Sequence, residues 1–105
     1  MRDARRKEIR LSRKEIFYIK HLALEVFGKD AEVWLFGSRV NPKLKGGDID
    51  IYIEVSEMKE IVEKKLSFLV KLKDVIGDQK IDVIVKQKDC QELICREAKE
   101  KGVKL

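Results

Sequence analysis

Residues 34–54 read "WLFGSRVNPKLKGGDIDIYIE". An apolar run stops at Gly37-Ser38, a loop carrying the chain's single proline follows, and a second apolar run begins with Asp48 and Asp50 set into it. "DIDIYIEV" (48–55) alternates strictly, which is the period of a β-strand. Ile49, Ile51, Ile53 and Val55 therefore share one face, the core face, and Asp48, Asp50, Tyr52 and Glu54 share the other. Two carboxylates at i and i+2 on a strand lie only about 7 Å apart and repel one another. Folding does not ask for that arrangement. A hard divalent cation does, because it takes oxygen ligands and cancels the repulsion.

Working outward, "EVWLF" (32–36) reads as a short strand buried on both faces, and "KIDVIVK" (80–86) as a third strand. In the third strand Ile81, Val83 and Val85 face the core, which places Asp82 on the opposite face with Ile84. If the strands 48–55 and 80–86 pair, Asp82 joins Asp48 and Asp50. Three carboxylates on one sheet face can hold one or two Mg²⁺, and two such ions clamp the attacking and leaving oxygens of a phosphoryl displacement. Gly37 lets the backbone approach a ligand, and a turn of this kind presents N–H groups that suit a phosphate. Ser38 adds a hydroxyl, and Arg39, Lys43 and Lys45 add positive charge beside it. Taken singly these signals are ordinary: a lone D-x-D is usually a strand start, and a lone Asp82 a polar residue on an exposed face. Their conjunction is what points to a site.

The remaining segments read as helices. Ser12 with Glu15 forms a capping box, so a helix begins near Arg13, carries Ile16, Ile19, Ala23 and Val26 at helical spacing, and ends at Gly28. Ser56 is placed to cap a helix over 57–76, with Met58, Ile61, Val62, Leu66, Leu69, Leu72 and Ile76 along one side. Asp89 with Glu92 suggests a capped helix over 89–101. The order predicts an α/β (α+β) domain: a small mixed sheet of about three to four strands with helices packed on one face. With the two longer helices on the core face, no segment is left over for the acidic face.

At 105 residues the chain has room for one domain, 1–105, whose first eleven residues form a basic N-terminal extension. "MRDARRKEIRLSRK" holds seven Arg or Lys against two acids, and the whole chain carries +5. That permits a polyanionic partner, RNA included, without requiring one; no aromatic residues interleave with the patch, which argues against a stacking platform for single strands. The charged share of 41% exceeds the usual ~25%. With a single histidine, Cys90 and Cys95 cannot build a zinc site of the usual kind, and they are expected to be reduced thiols of a soluble, cytoplasmic protein. No apolar run is long enough to span a membrane and no leader pattern opens the chain.

Gly37-Ser38, the loop, Asp48-x-Asp50 and the later Asp82 together resemble the signature of the polymerase β-like nucleotidyltransferase superfamily. The small size is similar to its minimal nucleotidyltransferases. That resemblance, over roughly residues 12–100, implies the following. Asp48, Asp50 and Asp82 would be catalytic and would bind one or two Mg²⁺. Gly37, Ser38, Arg39, Lys43 and Lys45 would hold the phosphates of ATP or another NTP. NMP would pass to an acceptor hydroxyl with pyrophosphate leaving. Asn41-Pro42 and Gly47 depart from the commonest form of the loop. The resemblance further implies a small helical HEPN-domain-like partner, with this chain as the antitoxin of a toxin–antitoxin pair that adenylylates it; a homo-oligomer is open. Two other functions compete: a non-catalytic antitoxin or nucleotide-sensing module, and a transferase for a small molecule or RNA end.

Overall fold

The computed structural model describes residues 11–37, 48–77 and 79–105. The chain runs α1 (Arg13–Phe27), β1 (Glu32–Phe36), β2 (Ile49–Val55), α2 (Ile61–Ile76), β3 (Ile81–Gln87), α3 (Leu93–Lys101) and β4 (Val103–Lys104). The capping box forms: the Ser12 hydroxyl accepts from the Glu15 N–H at 3.1 Å, and the Glu15 carboxylate accepts from the Ser12 N–H at 2.9 Å. The basic extension, apart from Leu11, lies outside the described residues.

The strands order as β3-β2-β1-β4 in one mixed sheet. β1 is antiparallel to both neighbours, while β2 and β3 run parallel and are joined through α2, the crossover that parallel neighbours require. On one face Val33, Leu35, Ile49, Ile51, Ile53, Val55, Val83 and Val85 meet Ile19, Ala23 and Phe27 of α1 and Phe68 and Leu72 of α2. The alternation read from the sequence is therefore the alternation of the folded sheet. Helix α3 packs on the other face, where Cys95 and Ala98 close over Trp34 and Tyr52. The acidic face is thus covered along its middle, against the expectation that nothing remained to cover it.

Four further local readings change. Helix α2 begins at Ile61, not 57: the Ser56 hydroxyl bonds to Asp30 in the turn after α1, and Glu60, in the left-handed region at φ 53°, precedes the helix without a side-chain cap. The buried sector of α2 centres on Phe68 and Leu72, so Val62 and Leu66, read as core, are 64% and 58% exposed, as is Val70 at 62%. Helix α3 begins at Leu93, not 89; the carboxylate of Glu92 is held by Lys86 at 3.1 Å and caps nothing. Cys90 therefore lies ahead of the helix and is disulfide-bonded to Cys95 in its first turn. On a continuous helix, residues five apart point about 140° away from each other, which is why the spacing did not suggest a bond. The expectation of reduced thiols fails. No helix among the described residues is long and apolar enough to cross a membrane.

Candidate active site

The site is built where β2 and β3 begin. The Ile49 N–H donates to the Lys80 carbonyl at 2.9 Å, which fixes the two strands side by side. Ile49 and Ile81 pair in register and turn into the core; Asp50 and Asp82 are the next pair. Residues paired in a parallel ladder leave the same face about 4.8 Å apart, so the two carboxylates stand next to each other. Asp48 lies just ahead of β2, two residues before Asp50, with Lys80 at 3.7 Å.

The electrostatics follow from this crowding. Asp50 is half-buried, and burial, then the charge of Asp82, then that of Asp48 push its carboxyl above the usual aspartate range; Lys80 opposes this only weakly. Asp82 is exposed. Three hard oxygen donors at two adjacent strand starts are a donor set that suits a divalent cation. Among the described residues the only trio of Cys, His, Asp or Glu ligand atoms within 4.8 Å of one another is Cys90, Glu92 and Cys95. Both of its sulfurs are committed to the disulfide, so it is no metal site. The three aspartates do not all approach that closely.

Gly37 has a role beyond the one the sequence suggested. Its φ is +79°, and a Cβ there would collide with the carboxylate of Asp50. The glycine therefore makes room for the acid as well as leaving a backbone open to a ligand. Ser38, Arg39, Lys43 and Lys45 lie outside the described residues.

An open cleft is lined by Phe36, Asp50, Asp82 and Ile84 on this face, and by Lys65 and Leu69 of α2 around the edge of β3. Phe36 is the cross-strand neighbour of Asp50. Its place was implicit in the alternation, which sets it on the same face as Trp34. Lys65 carried no signal, being one lysine among many on a charged helix.

Further along the same face the chemistry changes. The Tyr52 hydroxyl donates to Glu54 at 2.6 Å, and Lys99 of α3 pairs with the same carboxylate oxygen at 2.9 Å. Lys99 and Lys104 also lie over the Trp34 ring, 6.0 and 5.5 Å from its centroid. Burial, then the hydrogen bond to Glu54 and its charge, hold the Tyr52 phenol far above its ordinary range.

A strand ending in glycine, a parallel pair of acid-bearing strands and a mixed sheet with crossover helix agree with one comparison: the model of the nucleotidyltransferase domain matches residues 7–105. The chain belongs to that family. It is a nucleotidyltransferase, an enzyme that takes a nucleoside triphosphate as substrate, and its family usually works with a divalent metal. No curated protein matches it. Within the nucleotidyltransferase, Asp48, Asp50 and Asp82 sit at the strand starts, and the Gly37 turn abuts them.

Proposed function

We propose that this nucleotidyltransferase uses Mg²⁺ and ATP to place AMP on a hydroxyl of a partner protein, and that it is the antitoxin of a pair with a small helical HEPN-like protein. The observation that carries the chemistry is the register of Asp50 with Asp82, with Asp48 beside them, at the mouth of an open cleft. Asp48, Asp50 and Asp82 would hold the divalent ion, which when bound supplies neutralisation of the triphosphate and of charge developing on the attacking and leaving oxygens. Asp82 is the exposed member, and accepts the proton of the incoming hydroxyl. Asp50, crowded by its neighbours and seated against Gly37, is held in one orientation. Ser38 and the turn backbone take the β- and γ-phosphates, with Arg39, Lys43 and Lys45 supplying positive charge.

A protein acceptor is favoured by what covers the face. Helix α3 closes over Trp34 and Tyr52, and none of the described elements reaches over the Asp50–Asp82 end. Positioning an acceptor hydroxyl in line can supply about 7–11 kcal/mol of a barrier. A partner that docks there brings both the hydroxyl and its positioning.

The test is incubation with α-labelled ATP and Mg²⁺, with and without the small helical protein encoded beside it. Label should appear on the partner and vanish with Asp50→Asn. Robust labelling of RNA or a small molecule with no partner present would overturn the protein acceptor. Neutralisation of the partner by Asp50→Asn as well as by the native chain would leave contact, not transfer, as the antitoxin activity.

A further inference from the structure

β3 is one of the two terminal strands of the sheet, seven residues long, in unbroken register with β2 on one side and with no described strand on the other. The Ile49 N–H donates to the Lys80 carbonyl, and the Lys88 N–H to the Val55 carbonyl, both at 2.9 Å. Even-numbered residues of β3 therefore turn their backbone groups toward β2. By the alternation of a parallel ladder, Ile81, Val83, Val85 and Gln87 turn theirs outward. Such an edge invites a further strand, and neither proline nor a bulge blunts it.

The same side of the molecule exposes apolar surface. Lys65 and Leu69 border the cleft along β3. Next to them on α2 runs the row Val62, Leu66 and Val70, spaced i, i+4, i+8 and all more than half exposed. An unpaired strand edge and an apolar helix row thus lie side by side.

From this we infer that a second copy of the chain docks here, β3 antiparallel to β3 about a two-fold axis at Ile84, with the two α2 rows meeting beneath the joined sheet. The charges of the strand select both the occupant and the register. About Ile84, Val83 faces Val85 of the second copy and exchanges hydrogen bonds with it, because both turn their backbone groups outward. Asp82 then faces Lys86 of the second copy as a non-hydrogen-bonded pair, the closer kind. The half-buried Ile84 meets itself. Moving the axis by one residue either way sets Ile84 against a charge. In this arrangement each Asp82 faces a cation of the other copy across the axis. A two-fold contact of this kind is isologous and closes.

Sedimentation velocity on the intact chain, at concentrations up to about 100 µM, tests this independently of any nucleotidyl transfer. The native chain should sediment as a dimer. Leu66→Glu lies on an exposed row and should yield a folded monomer, its fold checked by circular dichroism. Lys86→Glu should raise the dimer dissociation constant roughly tenfold, since two attractive cross-strand pairs become repulsive. The double variant Asp82→Lys/Lys86→Glu should restore it; that rescue cannot come from the Lys86–Glu92 ion pair, which the double variant leaves broken. A native chain that is monomeric at the highest concentration overturns the inference and leaves the edge for a different protein. A dimer indifferent to Leu66→Glu, or one that the double variant fails to rescue, overturns it as well.

Discussion

Asp50 and Glu54 stand on the same strand and the same face, yet their surroundings are opposite. Glu54 is only 2% exposed and is answered on both sides, by the Tyr52 hydroxyl and by Lys99. Asp50 is half-buried, and the charges that bear most on it are two other carboxylates. A buried acid with a donor and a cation is a structural acid: its partners come from the fold, and removing one leaves the others stranded. An acid whose neighbours are acids is unfinished until something from outside arrives. One strand therefore carries a completed electrostatic unit at one end and an open one at the other.

The sharpest way to break this contrast is at Asp50. Asp50→Asn should lower nucleotidyl transfer by roughly 10³-fold, the scale on which losing a charge-organising group raises a barrier, while metal-free thermal stability holds or rises, because a repulsive charge has gone. A large drop in melting temperature would make Asp50 as structural as Glu54. The reciprocal change, Glu54→Ala, should cost about 2–3 kcal/mol in chemical denaturation. That lies below the full cost of breaking a buried pair, because Lys99 is partly exposed and can turn to water. Transfer per folded molecule should survive; its loss would merge the two ends into one site.

The middle-sized effect concerns the helix that supplies Lys99. Reducing the Cys90–Cys95 bond, which closes a short loop ahead of α3, should cost about 2 kcal/mol by loop entropy. Equilibrium unfolding with and without reductant measures it, and the loss should fall on the Glu54 end while the Asp50–Asp82 end is unchanged. The smallest effect is the pH dependence at Asp50. Its folded pKa is raised, so its stabilising contribution is complete below the ordinary aspartate value and is lost as pH rises through the folded one. Without metal, the native chain should lose stability relative to Asp50→Asn between about pH 4 and neutrality, by less than about 1 kcal/mol after solvent screening. A gain over that interval would mean that Asp50 has a cation in the folded state.

What could be read from the sequence is what period two and local capping determine. The alternation of 48–55 and 81–85 assigned the side chains of those two strands to their faces, and the parallel pairing then put Asp82 beside Asp50; β4, two residues long, gave no such signal. The Ser12–Glu15 cap set the start of α1. Less legible were features decided by tertiary neighbours. Ser56 had a capping residue's chemistry but spends its hydroxyl on Asp30. Phe68, not Leu66, faces the core, because only the packing of α2 on the sheet chooses which sector is buried. Glu54 looked equivalent to Asp50 until α3 brought Lys99 across. Cys90 reads as helical because the spacing starts α3 at 89, four residues ahead of Leu93. Of the phosphate-side residues, Gly37 alone is among those described, and its steric bond to Asp50 depends on φ, which sequence does not print.

Asp82 rides on an edge strand, and that sets a clock. The acid pair exists only while β3 is zipped to β2, and β3, like β4 at the opposite edge, is held from one side alone among the described elements. Edge strands are drawn from the part of a protein that opens locally, well below the cost of global unfolding. The lifetime of an assembled carboxylate site is then the lifetime of one ladder of backbone hydrogen bonds. Amide exchange at the even-numbered positions of β3, Asp82, Ile84 and Lys86, reads that lifetime directly, without substrate or metal. Whatever slows exchange at those three amides also lengthens the interval over which the enzyme is poised to react.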